Sequence, residues 1–209
     1  MKKLFVLALL LTLAFKAFSQ AFEGEIVYAN SYKSKMPNLN DAQLGAIMGT
    51  TQEYYIKGGN YKSVFNGSFF KMQLYVNSDN KSYELTAKSD TLYWEDFGQN
   101  KDVATRYELK PNSDTIMGVP CDLLIVYTAK SKTLYYYSSK YGVNPDLYKN
   151  HAYQNWYYII SKTKALPLKT VFEDDQVAFT STAVSVKAMR LDGALFEVSD
   201  KNKVAAAQW

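Results

Sequence analysis

The chain has 209 residues, with 24 Lys and Arg against 20 Asp and Glu, a length suited to one domain with a sizeable core. Lys2, Lys3 and Lys16 sit in the apolar N-terminal stretch. Without them the balance is 21 to 20, which removes the electrostatic case for a nucleic-acid partner. A single cysteine excludes an internal disulfide, and one cysteine with one histidine is too few for a zinc site.

In chain order, "MKKLFVLALLLTLAFKAFSQ" comes first. Lys2 and Lys3 form a positive start, Leu4 to Phe15 an uncharged apolar run, and Ala17 and Ser19 the small residues that signal peptidase requires. This predicts a signal peptide over 1–19, a single domain over 20–209 and a periplasmic or secreted location. The run is shorter than the roughly 20 apolar residues of a membrane span. No second run follows, so no transmembrane segment is expected in the mature chain. Cys121 is far from the leader's end, so no lipid anchor is expected either.

Beyond the leader the chain is rich in tyrosine, with 18 residues alongside 11 Phe and 3 Trp, a β-prone composition. "EGEIVYANSY" opens the domain. "NLNDAQLGAIMGT" then breaks the β pattern: Asn40 is a candidate N-cap, Gln43 completes a capping box and Gly49 is a stop. Leu44, Ile47 and Met48 line one face of this two-turn helix.

"TQEYYIKGGNYKSVF" predicts a hairpin turning at Gly58, Gly59 and Asn60. In "SFFKMQLYV", Phe70, Met72, Leu74 and Val76 share one face, and Lys71 and Gln73 the other. "KSYELTA", "TLYWED" and "ATRYELK" follow, the last ending at Pro111. "DLLIVYT" and "TLYYYSS" predict a further hairpin. "NPDLYKNHAYQNWYYII" places Leu147, Tyr148 and Ala152 at helical spacing before a strand resumes near Trp156. "PLKTVFE" and "QVAFTSTAVSV" pair around Asp174 and Asp175, and "ALFEV" is the last strand.

The expected fold is mainly β. It is a strongly curved antiparallel sheet, an incomplete β-barrel of about 10–11 strands, with one or two short helices over its concave face. Each helix either caps that face or fills a sheet edge.

Candidate chemistry is sparse. Cys121 heads an apolar strand beside Asp122, which raises a thiol pKa, and this points to a buried structural thiol rather than a nucleophile. His151 has the look of a surface or capping residue. Glu95, Asp96 and Asp102 in "WEDFGQNKD" are a conceivable carboxylate pair for glycoside chemistry, but fit a solvated loop better. "EDDQ" suits a hairpin turn better than a calcium loop. No nucleophile elbow, P-loop or dinucleotide motif occurs. No metal, cofactor or enzymatic activity is expected.

The positive signal is apolar surface. "DLLIVYT" is apolar on both faces, with Leu123, Ile125 and Tyr127 on one. Together with Phe70, Met72 and Leu74, and with Leu44, Ile47 and Met48 as a lid, these are candidate linings of an apolar ligand cavity. A barrel filled by its own side chains produces the same periodicity.

"ALPLKTVFEDDQVAFTSTAVSVKAMRLDGALFEVSDKNKV" resembles the periplasmic lipoprotein-carrier (LolA/LolB-like) superfamily. The likeness lies in a Leu-Pro strand start at Leu166 and Pro167, an acidic turn at Asp174 and Asp175, a Thr/Val-rich strand from Ser181 to Val186, and the stretch from Asp192 to Phe196. "FEGEIVY", "YYIKGGNYK" and "IMGVPCDLLIVYT" resemble an exported family of unknown function (DUF4412-like). The resemblance implies a half-barrel whose concave apolar face, under its helices, takes acyl chains.

The expected function is therefore a non-catalytic periplasmic binding or carrier protein for a lipid, a lipoprotein acyl chain or another apolar ligand, with envelope proteins or lipoproteins as further partners. The alternative is a structural or interaction protein of the cell envelope with a self-filled barrel.

Overall fold

The computed structural model describes residues 21–208; the predicted leader over 1–19 lies outside them. Strand β1 (Gly24–Ser34) leads to helix α1 (Asp41–Met48). Strands β2 (Thr51–Lys57), β3 (Asn60–Phe65), β4 (Phe70–Val76), β5 (Lys81–Thr86) and β6 (Thr91–Asp96) follow as a meander. Next come β7 (Arg106–Ile116), β8 (Val119–Tyr127) and β9 (Lys132–Gly142). Two 3-10 turns, Pro145–Tyr148 and Tyr153–Asn155, enter α2 (Trp156–Thr163). The chain then forms β10 (Ala165–Glu173), β11 (Val177–Ala188), a 3-10 turn at Gly193–Phe196, and β12 (Lys203–Ala206).

All the strands belong to one open, curved sheet in the order β12-β6-β5-β4-β3-β2-β1-β11-β10-β9-β8-β7. Every pairing is antiparallel except β12 beside β6. The first and last thirds of the chain meet where β1 pairs with β11, from Gly24 opposite Ala188 to Ser34 opposite Val177.

Local chemistry explains much of this. Gly58 and Gly59, at φ +54° and +88°, form the two-residue turn between Lys57 and Asn60, the mirror-image turn that matches strand twist. Asn40 caps α1 as its sequence implies: its side chain accepts from Gln43 N–H, while the Gln43 side chain accepts from Asn40 N–H. In the β10–β11 turn, Asp174 accepts from the Gln176 and Val177 amides.

Three sequence expectations change. The described residues form twelve strands, because Lys203–Ala206 pairs with β6, whereas "ALFEV" is mostly a 3-10 turn. β7 does not stop at Pro111 but continues to Ile116 through an irregularity between Lys110 and Asp114; a bulge accommodates the missing proline N–H. The β-prone "WYYIISKT" is helix α2, not a strand. Left-handed Asn155 and Lys164 bound it, and it buries Ile159, Ile160 and Thr163. Burial of that face overrides local propensity.

The largest core covers one face of the sheet, here called the inner face. Ile26 and Tyr28 of β1, Tyr54 and Ile56 of β2, Tyr61 of β3, Tyr75 of β4 and Leu168 of β10 gather around Tyr148 and Ile160 from the connecting segment. A second core, on the opposite face, packs Leu74, Tyr83 and Leu92 beneath Leu191 and Phe196 from the chain's end. A third joins Leu124 and Val126 of β8 to Ile159 of α2.

Two substitutions test this packing. Asn40→Ala removes both capping hydrogen bonds and is expected to cost about 1 kcal/mol, read as a lower urea midpoint at unchanged slope. Cys121, 1% exposed, is expected to resist bulky thiol reagents in the native state. Cys121→Ser should cost about 1–3 kcal/mol by burying a hydroxyl.

Candidate functional site

The predicted apolar site does not assemble. Helix α1 is held to β1 and to the β3–β4 connection: the Ser68 and Phe69 amides donate to the Ala46 and Ile47 carbonyls, and the Tyr32 hydroxyl donates to the Gly49 carbonyl. Gly45 lies beside Tyr32 and Thr50, while Gly67 comes so close to Ile47 O that a Cβ there would sit at 2.4 Å. Leu44 is buried and Ile47 and Met48 are half-buried in this corner.

Met72 and Leu74 belong instead to the opposite-face core under Leu191 and Phe196, and Phe70 packs on Phe65 at 4.9 Å. Leu123, Ile125 and Tyr127 alternate with Leu124 and Val126, so they point away from α2. The Arg106 guanidinium lies 3.5 Å over the Tyr127 ring, whose hydroxyl donates to Glu108. The nine candidates therefore fall into four separate places. Alternation in "SFFKMQLYV" placed Met72, Leu74 and Val76 together correctly, but a register irregularity between Phe70 and Met72 turns Phe70 to the inner face, opposite Thr86. Nor could alternation say which side of the sheet the helices cover.

What covers the inner face is the segment from Val143 to Thr163. Tyr148 is 1% and Ile160 0% exposed. His151 is not a surface residue: it is 2% exposed, and its Nε2 is 2.9 Å from the Tyr61 hydroxyl. Around it stand Tyr61, Tyr75, Phe97 and Trp156, with ring centroids 4.5–6.1 Å away. Burial among these rings pushes the imidazole down to about 3, so the ring is neutral at pH 7 and serves as a polar wedge. Beside it, Phe97 stacks on Tyr153 at 4.2 Å.

Strand register builds a polar strip next to this aromatic segment. One cross-strand row on the inner face runs Ile26, Tyr54, Ser63, Gln73, Glu84, Tyr93. The adjacent row runs Ile56, Tyr61, Tyr75, Ser82, Glu95. Ser63 and Ser82 are buried, whereas Gln73, Glu84, Tyr93 and Glu95 are half-buried at the open end.

Gln73 Nε2 donates to Glu84 Oε1 at 3.1 Å, and Gln52 Nε2 to Ser63 Oγ at 2.9 Å. Burial pushes the Glu84 carboxyl up, the Gln73 hydrogen bond opposes this, and the Glu95 charge adds to the rise. Burial and the same two carboxylates raise the Tyr153 phenol. By register Glu84 and Glu95 are diagonal neighbours, a separation of about 7–8 Å between backbone positions. The hydroxyls of Ser82 and Tyr54 are buried on this face without a partner. Chemically, the strip can hold a proton at Glu84 or accept hydrogen bonds from a donor-rich ligand.

Glu95 was visible in the sequence, but with other neighbours. Asp96 instead accepts from Gly98 N–H in the turn, and Asp102 from Thr128 Oγ1. Cys121 has a thiol pushed up first by burial and further by Asp114 and Asp122, and no base is placed at its sulfur. Among the described residues no group of three or more His, Cys, Asp or Glu could hold a metal ion. No helix among them is long and apolar enough to cross a membrane.

No protein-family model and no curated protein matches the chain. Two solved structures of PNGF-II, in the P21 and C2 space groups, are similar over 90% of this chain, at 17% and 16% identity and TM-scores of 0.46 and 0.47. The chain spans about a third of their length, 32% and 31%. At that level the likeness does not extend to function.

His151 carries a pH signature. A histidine with a depressed folded pKa contributes stability that is complete above its unfolded value of about 6.5 and is lost as pH falls toward its folded value of about 3. Stability should fall by up to about 1.4 kcal/mol per pH unit across this window. Between pH 6.5 and 5, above the ordinary carboxylate range, urea midpoints of wild type should drop, and those of His151→Gln should drop much less.

Proposed function

We propose that this chain is an exported, non-catalytic interaction domain whose half-barrel is filled by its own aromatic segment, not an open carrier of acyl chains. The observation that supports this is the packing of Tyr148, His151, Trp156 and Ile160 against Tyr54, Tyr61, Tyr75 and Leu168, in the place where an acyl chain would lie in a carrier. The remaining open part of the inner face carries Gln73, Glu84 and Glu95, and lipid tails gain nothing against carboxylates and amides. Export rests on the leader-like residues 1–19. The partners are then components of the cell envelope, recognised at polar surface.

A fluorescent fatty acid titrated into the wild-type protein should give no saturable uptake. Tyr148→Ala should lower stability by about 3–5 kcal/mol, as expected for losing a buried aromatic ring, without creating high-affinity lipid binding. Saturable micromolar uptake by wild type, or a lipid that stays bound in native mass spectrometry, would return the protein to the carrier class.

A further inference from the structure

Elsewhere on the molecule, ring and carboxylate pairings are completed by the chain's own cations. Arg106 lies over Tyr127 and pairs with Glu108 at 2.6 Å, and Lys169 lies over Tyr136 and pairs with Asp114 at 3.1 Å. The inner-face strip has the same ingredients without the cation. Glu84 and Glu95 take part in no ion pair among the described residues, and the charged group bearing on the Glu84 carboxyl is another carboxylate, Glu95.

We propose that the strip formed by Gln73, Glu84 and Glu95, with Ser82 at its floor and Tyr153 at its wall, binds an organic ammonium group such as a primary amine. An ammonium has three donors and no acceptor. The strip offers the complementary set. Glu84 and Glu95 supply charged acceptors. Gln73 has already turned its amide nitrogen to Glu84, which leaves its carbonyl oxygen as a further acceptor.

Ser82 Oγ, 0% exposed and without a partner, lies cross-strand from Glu95 and two residues from Glu84 on the same face. Nothing among the described residues completes it, and by register its side chain stands on the same face as both carboxylates. Tyr153, stacked on Phe97, adds a ring that attracts a cation. A neutral polyol would also find acceptors here but would leave the two carboxylates uncompensated.

This assignment rests on the reading that residues 143–163 fill the inner face, because that filling places Tyr153 beside the strip. The two ideas fail separately. Fatty-acid uptake decides the filling, and the following titration decides the ligand.

Full-length mature protein is titrated calorimetrically with 1,5-diaminopentane at pH 7 in about 0.15 M salt, where non-specific surface attraction is screened. Saturable binding is expected at a Kd of about 1 mM or tighter. Glu84→Gln and Glu95→Gln should each weaken it about tenfold or more with little change in melting temperature. Glu53→Gln, on the opposite face of β2, should bind as wild type does. Should Glu84→Gln fold poorly, Glu95→Gln carries the comparison. The proposal is overturned if wild type shows no saturation by about 10 mM, if both strip variants bind the diamine unchanged, or if methyl glucoside binds more tightly than the diamine.

Discussion

An open sheet whose inner face carries Ile26, Tyr54, Ile56, Tyr61, Tyr75 and Leu168 must cover that apolar region, and much else in this structure follows from how it is covered. A closed barrel would bury it by meeting itself. Here β12 and β7 are free edges, and the covering comes from the chain between β9 and β10. That segment is short and irregular: two 3-10 turns, left-handed Gln154 and Asn155, and an eight-residue helix. No part of it is stable as an isolated helix. Its conformation is set by the rings it buries, including Tyr148 against Trp156 and Phe97 against Tyr153. Tyr61 satisfies Nε2 of the neutral buried histidine, while its Nδ1 is buried without a partner.

The same filling decides the chemistry left at the surface. Because aromatic side chains take up the middle of the face, the portion that stays partly accessible lies over β4, β5 and β6, where Gln73, Glu84 and Glu95 stand on that same face. Two carboxylates stand there without an ion-pair partner among the described residues, and the Glu84 carboxyl is raised first by burial and, after the opposing Gln73 hydrogen bond, by the Glu95 charge. The opposite face is handled differently. There Leu191 and Phe196 close over Leu74 and Leu92, and Lys57 ties the segment down by donating to the Leu191 carbonyl and pairing with Glu23 at 3.3 Å.

Features that depend on neighbours in the chain were legible in the sequence. The Asn40–Gln43 capping box, the Gly58–Gly59 turn and the burial of Cys121 rest on local residue chemistry. Those that depend on register were not. Gln52, Ser63, Gln73 and Glu84 lie about ten residues apart on four strands and become neighbours only through cross-strand pairing. The available signal was a polar residue at the same alternate position in successive hairpin strands, next to a tyrosine two places away in β2, β3 and β4. Helix α2 escaped for the opposite reason: its Trp, Tyr and Ile content favours a strand, and only tertiary burial of Ile159 and Ile160 decides otherwise. The lid expected over Met72 failed because alternation separates two faces without naming which one is inner.

The central claim is that residues 143–163 are an integral part of the core. Native-state hydrogen–deuterium exchange resolved by peptide tests it most directly. The account predicts that amides such as Tyr157 and Lys164, which donate to the His151 and Ile160 carbonyls, exchange as slowly as those of β2 and β10, through opening of the whole domain. Exchange of this segment within seconds while those strands stay protected would show a cover that lifts on its own, and would contradict it.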